Sequence, residues 1–168
     1  GTVGHEIYSI NGAEGMIAWY KEMGRVLEKD GEIVIRDSNT PENADKVVTV
    51  QLLTQEAKDF ATKYLELSPL AKENEIQIGE GFFTSNLKLA ADFAFHLSWI
   101  PKVKERTGGD LTDFYNEEVP QIYSYGNISD HEKWSSEAGL SIEKIEFQEN
   151  EIGKKVIGDN IKIIDLTT

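Results

Sequence analysis

HEIYS at residues 5–9 and RVLEKDGEIVIRD at residues 25–37 are the stretches that decide the fold. Between them, apolar residues recur at helical spacing and predict a helix over residues 13–27 with one apolar stripe. A Lys-Asp-Gly turn then leads into the all-apolar residues 33–35. The predicted order is a polar loop, a helix and a short strand. This is one αβ unit of a parallel sheet, whose central strands read as apolar runs because both faces are covered.

The same residues resemble the second half of class I S-adenosylmethionine-dependent methyltransferases, which have a Rossmann-like fold. In that family, R-x-L-x-x-G-G-x-[LIV]-x-[LIV]-x-D follows the helix after the fourth strand, and residues 25–37 are similar to it. Residues 134–145 resemble the family's last helix and penultimate strand, with Leu140 where phenylalanine is common. The resemblance covers residues 5–37 and 129–147 and is weak between them.

The fold class that this resemblance implies is α/β, with the last strands of a Rossmann-like methyltransferase sheet and a largely helical insertion. We expect a single domain in which residues 1–39 and 127–168 form the methyltransferase-like core. Residues 40–126 are then the insertion, which in such enzymes carries a substrate-binding cap. The last strand, residues 161–166, is expected to lie antiparallel to its neighbours.

The resemblance also implies where S-adenosylmethionine is bound. Enzymes of this class hold it with a glycine-rich loop after the first strand and an acidic residue ending the second, both upstream of the segment that resembles residues 5–37. Only Gly1 to Gly4 precede that segment here, and Gly79-Glu80-Gly81 lacks the third glycine of such a loop. We therefore expect the C-terminal, acceptor-side part of a methyltransferase, which binds cofactor only with a missing N-terminal half or a partner chain.

Composition and charge limit the classes of molecule that the chain is expected to bind. The chain has 168 residues, no cysteine and a net charge of −13 from 30 acidic and 17 basic residues. This field repels polyanions, so nucleic acid and anionic membranes are disfavoured and a small-molecule acceptor is predicted. No apolar run approaches the roughly 18 residues of a membrane span. The absence of cysteine excludes disulfides and thiolate metal sites and agrees with a cytoplasmic location.

Candidate site residues follow from the predicted sheet, because ligands of open parallel sheets bind beyond the carboxyl ends of the strands. His5, Glu6 and Tyr8 would follow one strand, and Arg36 and Asp37 the next. We propose His5 and Glu6 as catalytic, since an imidazole and a carboxylate suit deprotonation of an acceptor hydroxyl or amine. Tyr8, Arg36 and Asp37 would bind substrate, Arg36 as a bidentate donor to a carboxylate. The structural alternative is that Arg36 pairs with Glu6 or Asp37.

Further candidates lie outside this motif. His96, on an apolar helix predicted over residues 86–99, is a substrate-binding candidate, although a lone histidine on such a face is more often a core residue. Tyr123, Tyr125 and Trp134 either line an acceptor pocket or belong to the core, and the second reading is favoured. The three histidines have no metal-ligand spacing, so no metal is predicted.

Other local patterns predict the remaining elements. Residues 46–53 are predicted to be extended, and Thr54 to cap a helix that reaches Leu65. Residues 73–83 indicate a hairpin or loop. Pro101 is expected to terminate the helix that contains His96.

The C-terminal third of the sequence contains patterns that predict one helix and two strands. Ser129 and Glu132 have the spacing of a capping box for a helix ending near Ala138. Residues 141–147 and 160–166 read as two strands, joined by a loop over residues 153–159.

Two alternatives to the enzyme stay open. The first is a non-catalytic binding or scaffolding module derived from a methyltransferase half, whose open strand edge at residues 32–35 pairs with a second copy or a partner chain. The second is an unrelated α/β fold that shares the local pattern.

Overall fold

The computed structural model describes residues 4–27, 29–35, 37, 40–147 and 150–165. The chain divides into two compact units. The first unit consists of Gly1–Glu42 and Tyr123–Phe147, and the second of Asn43–Ile122 and Gln148–Thr168. The chain therefore leaves the first unit after Glu42 and returns to it at Tyr123.

The first unit is built on two helices that pack together, α1 (Gly4–Val26) and α5 (Ile128–Glu137). Gly12, with φ 61° and ψ −153°, breaks α1 into two helical pieces. A residue without a Cβ adopts this backbone conformation at little cost. The buried apolar side chains of this unit come from both helices and the segment before α5: Met16, Tyr20, Tyr125 and Trp134.

The second unit contains a four-stranded sheet in the order β2-β3-β1-β4. Its strands are β1 (Val47–Leu52), β2 (Gln77–Gly79), β3 (Phe82–Asn86) and β4 (Ile161–Asp165). Every neighbouring pair is antiparallel. In the central register, Val50 lies opposite Phe83 on one side and Ile163 on the other.

Helices pack against this sheet and against one another to form the core of the second unit. They are α2 (Gln55–Leu67), α3 (Pro69–Glu73), α4 (Leu87–Thr107), a π-helical turn (Phe114–Glu118) and α6 (Glu151–Asn160). Fully buried aromatic side chains hold the layers together: Phe60, Tyr64, Phe83 and Phe93. Phe93 stacks on Phe60 at 5.2 Å and meets Phe83 edge-on at 5.1 Å.

Several local predictions are confirmed. The mixed α and β character is present, residues 47–52 form a strand, and residues 77–86 form a hairpin. The Thr54 hydroxyl caps α2 by accepting a hydrogen bond from the amide of Ala57 at 3.1 Å. Residues 161–165 form the predicted antiparallel strand, β4.

Two predicted strands are wrong. Residues 31–35 and 141–147 have no regular secondary structure, although their sequences suit strands. An extended segment becomes a strand only when a neighbour pairs with its backbone, and neither segment is paired within the described chain. The only sheet among the described residues is antiparallel, so a parallel methyltransferase-type sheet is not confirmed.

Three further predictions are corrected. Residues 5–9 belong to α1 instead of a polar loop, and residues 153–159 belong to α6 instead of a connection between strands. Pro101 lies inside α4, which continues to Thr107. The segment over residues 40–126 contains β1, β2 and β3 as well as several helices.

The predicted capping box is displaced by two residues. Asn127, and not Ser129, caps α5: its side chain accepts a hydrogen bond from the amide of Asp130 at 2.8 Å. The Asp130 carboxylate accepts one in return from the amide of Asn127 at 3.0 Å. Both sites have a polar residue followed three positions later by an acidic one, so the sequence pattern alone does not separate them.

Candidate functional site

A buried carboxylate lies at the start of α1 in the first unit. Oδ2 of Asp37 accepts hydrogen bonds from the backbone amide of His5 at 3.3 Å and from the Tyr125 hydroxyl at 2.9 Å. The first amides of a helix have no partner inside it, and the helix dipole favours negative charge at this end. Asp37 therefore satisfies an orphan donor of α1 while holding Tyr125.

The imidazole of His5 lies against the same carboxylate. Its Nδ1 is 3.4 Å from Oδ1 of Asp37, and the two side chains are only 6% and 7% exposed. Among the described residues, however, no atom is oriented to hydrogen-bond His5 Nδ1. Hydrogen bonds weaken steeply when misaligned, so the carboxylate lies against the imidazole without a hydrogen bond to it.

Aromatic rings surround this pair. The ring of Tyr123 lies 4.4 Å from that of His5, and Tyr8 contacts Tyr125 at 5.7 Å. Tyr125 in turn stacks on Trp134 at 6.3 Å with an interplanar angle of 7°. We call these four residues, Tyr8, Tyr123, Tyr125 and Trp134, the aromatic cluster. Ring pairs at such distances stabilise each other beyond the burial of their area.

A second polar pair lies beside the aromatic cluster. The Tyr20 hydroxyl is 2.7 Å from Nδ1 of His131, and the His131 ring meets Tyr125 and Trp134 edge-on at 5.4 and 5.1 Å. Burial lowers the pKa of His131 and outweighs the opposing effect of Asp37 and Asp130. His131 is therefore neutral at pH 7, and its Nδ1 can accept the hydrogen bond that Tyr20 donates.

Two tyrosines at this site, Tyr20 and Tyr125, stay protonated at neutral pH. Burial, reinforced by the Asp37 carboxylate, raises the pKa of Tyr20 to about 12. Burial also raises the pKa of Tyr125, again with Asp37 as the next largest cause. Both hydroxyls are thus hydrogen-bond donors at neutral pH, Tyr20 towards His131 and Tyr125 towards Asp37.

Two glycines make room for these contacts. A Cβ atom on Gly4 would lie 2.4 Å from the Tyr125 hydroxyl oxygen, and one on Gly126 would lie 2.6 Å from Cη2 of Trp134. Real Cβ atoms do not approach other atoms so closely. The backbone of α1 can therefore sit against Tyr125 only because residue 4 is glycine.

The structure brings some of the predicted site residues together and separates others. His5, Tyr8, Asp37 and Tyr123 come together in the first unit. Glu6 follows His5 in α1, but its side chain is exposed. Arg36 lies outside the described residues.

His96 belongs to the second unit, where its side chain is completely buried. Its ring nitrogens lie near the main-chain oxygens of Asp92 and Glu118. A buried position of this kind is the more common one for a lone histidine on an apolar helix.

Two residues of the site were missed from the sequence. Tyr20 reads as one member of the apolar stripe of a helix, and His131 reads as an exposed residue in the first turn of another helix. They are 111 positions apart, so no local spacing connects them. A polar hydroxyl within an otherwise apolar stripe was the only signal.

The described residues do not fit S-adenosylmethionine. β1 leads into α2 through Leu53 and Thr54, and β3 leads directly into α4, so neither junction is a glycine-rich turn. Antiparallel strands also do not gather their carboxyl ends at one edge, where nucleotide ligands bind. Within the described ranges, no group of three or more histidine, aspartate or glutamate side chains is placed to hold a metal ion.

Comparison of the chain with protein-family models, curated proteins and solved structures found no significant match. None of the helices in the described part of the chain is long and apolar enough to cross a membrane.

Proposed function

We propose that the chain is the acceptor-side part of an S-adenosylmethionine-dependent methyltransferase that acts on a small, non-polyanionic acceptor. One observation carries the proposal. His5 and Tyr8 come from the first motif segment and Asp37 from the second, and all three lie in one cluster, in which His5 and the Asp37 carboxylate are buried and Tyr8 is half-buried. The resemblance of residues 5–37 implies that these residues lie where an acceptor binds.

His5 and Asp37 would carry the proton chemistry. The Asp37 carboxylate lies beside Nδ1 of His5, on the side of the imidazole where hydrolytic triads place their carboxylate. The contact with Asp37 uses Nδ1. Nε2 is then the ring nitrogen that would take a proton from an acceptor hydroxyl or amine. General-base assistance of this kind typically contributes a factor of about 10² to 10⁴ in rate.

The aromatic cluster would supply the walls of the acceptor site. Tyr8 and Tyr123 are half-buried, so part of each ring remains accessible to a ligand. Rings of this kind bind apolar or cationic groups on their faces. The net charge of −13 disfavours polyanionic acceptors, which supports a neutral or cationic one.

The described residues do not fit S-adenosylmethionine, so this proposal assigns its binding to chain outside residues 1–168, in the same polypeptide or in a partner. The cofactor would supply the activated methyl group. We assign none of the described residues to it and derive no step through it.

A specific observation favours the non-catalytic module as a second candidate. In the first unit, the segments over residues 31–35 and 141–147 have no regular secondary structure and expose apolar side chains, among them Val34 at 72% and Phe147 at 66%. Strand-like sequences that pair with no strand among the described residues invite pairing with another chain. Such a module would bind through these segments and leave the His5–Asp37 pair as a helix-capping contact.

The experiment that tests the enzyme is a binding and transfer assay on two proteins: residues 1–168 and the complete polypeptide encoded by the gene. Calorimetry with S-adenosylhomocysteine and incorporation of radioactive methyl groups from S-adenosylmethionine are measured for both. We expect binding and transfer by the complete polypeptide, alone or with its partner chain, and no micromolar binding by residues 1–168 alone. A complete polypeptide that neither binds nor transfers contradicts the enzyme and favours the module.

Variants of the active protein then test the roles of the residues. His5→Ala is expected to lower methyl transfer at least tenfold while S-adenosylhomocysteine binding stays unchanged. Lys133→Gln, an exposed change on α5, is the matched control and should leave both unchanged. Unaltered transfer in folded His5→Ala would remove His5 from the mechanism.

A further inference from the structure

A fully buried group of ionisable side chains lies in the core of the second unit. It consists of Tyr64 on α2 and of Asp92 and His96 on α4. The Tyr64 hydroxyl donates a hydrogen bond to Oδ2 of Asp92 at 2.6 Å, and Nδ1 of His96 lies 3.3 Å from the same oxygen. Charged groups are rarely buried to this degree unless they are paired.

Both ring nitrogens of His96 face oxygen atoms that carry no proton. Nδ1 lies 2.7 Å from the main-chain oxygen of Asp92, and Nε2 lies 3.1 Å from the main-chain oxygen of Glu118. A neutral imidazole has a single N–H and would turn one lone pair towards a carbonyl oxygen. Only the imidazolium, with two N–H groups, satisfies both contacts.

The Glu118 oxygen belongs to the π-helical turn Phe114–Glu118, and it also accepts a hydrogen bond from the amide of Gln121 at 2.9 Å. Carbonyls at the end of a helix lack partners within it, so they accept from outside. The His96 Nε2–H bond therefore joins α4 to the π-helical turn. The rings of His96 and Phe114 also meet edge-on at 6.4 Å.

We propose that His96 is a buried imidazolium that fastens the π-helical turn Phe114–Glu118 to α4, so that the packing of this turn depends on a bound proton. The Asp92 carboxylate balances the charge, and Tyr64 holds that carboxylate in place. This device lies within the second unit and does not depend on the function proposed for the first.

The direction of the pH dependence follows from the neighbours of His96. Burial lowers the pKa of His96, but the Asp92 carboxylate and the two main-chain oxygens outweigh it, and the net shift is upward. Asp92 and Tyr64 are the titratable groups whose contacts with the ring are seen among the described residues, and burial together with Asp92 raises the pKa of Tyr64 well above its usual value. The stabilisation is thus complete below the unfolded pKa, near 6.5, and is lost as pH rises through the folded value.

The first test is a ¹⁵N NMR titration of the histidine rings in the full chain between pH 5 and pH 10. At pH 7.5, both His96 nitrogens are expected at imidazolium shifts. His131, whose pKa burial lowers, should show the separated shifts of a neutral ring and serves as the internal control. A neutral His96 ring at pH 7.5 would overturn the proposal.

The second test follows the π-helical turn by hydrogen exchange. The amide of Val119 donates the π-type hydrogen bond to the oxygen of Phe114. In Asp92→Asn, the protection factor of the Val119 amide at pH 7 should fall at least tenfold. Glu105→Gln, an exposed change on α4, is the matched control and should leave this protection factor unchanged. Equal protection in folded Asp92→Asn would overturn the proposal. If this variant does not fold, the titration of the unchanged chain decides alone.

Discussion

The hydroxyl of Tyr20 and Nδ1 of His131 lie 2.7 Å apart and connect the second half of α1 to the first turn of α5. Aromatic packing also joins these helices, since Tyr8 on α1 contacts Trp134 on α5 at 5.9 Å. The hydrogen bond adds direction to that packing, because a hydroxyl and a ring nitrogen meet well in only one register. It also fixes the ring of His131 against the aromatic cluster.

Removal of the Tyr20 hydroxyl should weaken the first unit. Tyr20→Phe keeps the ring but leaves the half-buried Nδ1 of His131 without its donor. Loss of one partner of a buried hydrogen bond typically costs about 1 to 3 kcal/mol. Urea unfolding, followed by the NMR signal of the Trp134 indole, measures the change. An unchanged unfolding free energy would mean that water replaces the hydroxyl.

Acidification should destabilise the first unit through His131. Burial lowers the pKa of His131, so the unfolded chain binds a proton at a higher pH than the folded chain does. The contribution of a group with a lowered pKa is present above the unfolded value, near 6.5, and is lost as pH falls through the folded value. The unfolding free energy of the first unit should therefore decrease from pH 7.5 to pH 5.5.

The variant His131→Gln tests this assignment. This variant removes the titrating group. The unfolding free energy of the first unit should therefore change less steeply between pH 7.5 and pH 5.5. His96 acts in the opposite direction and in the other unit, so the readout must again be the Trp134 indole. A slope that is unchanged in His131→Gln would assign the acid sensitivity to another group.

A methyl group added at residue 4 should destabilise the protein, whereas one added at residue 158 should stabilise it slightly. Gly4→Ala would place Cβ 2.4 Å from the Tyr125 hydroxyl oxygen and push α1 away from Asp37. Overpacking of this kind typically costs about 1 to 3 kcal/mol. Gly158 lies in α6 with no atom within 4 Å of its Cβ position, so Gly158→Ala should stabilise by up to about 1 kcal/mol through helix propensity. Thermal unfolding of both variants checks the opposite signs.

Elements that depend on local signals were predictable from the sequence. The helix that begins after Thr54 has its cap and its apolar stripe within a few residues, and the structure reproduces both. The segment over residues 31–35 has an equally clear apolar pattern, yet it forms no strand. Its outcome depends on whether another strand lies beside it, and a pattern within one segment carries no information about that.

The residues of the candidate site also divide into those with a local sequence signal and those whose contacts depend on tertiary packing. His5, Tyr8 and Asp37 were predicted together, because two short motifs contain them. Tyr20 and His131 were missed, because their contact depends on how α1 packs against α5. Tyr125 and Trp134 were foreseen as either pocket wall or core, and their burial around Asp37 is compatible with both.

The start of α5 gives a direct comparison between a cap that the sequence pattern favoured and the cap that the structure contains. Asn127→Ala should destabilise the first unit by about 1 kcal/mol, since replacement of an N-cap typically costs about 0.5 to 2 kcal/mol. Its side chain accepts from the amide of Asp130, and the Asp130 carboxylate returns the bond. Ser129→Ala should destabilise the unit far less, because among the described residues the Ser129 hydroxyl makes only an exposed hydrogen bond to Glu42 at 3.2 Å. Equal losses in the two variants, measured by urea unfolding at the Trp134 indole, would mean that α5 starts at the later position that the sequence pattern favoured.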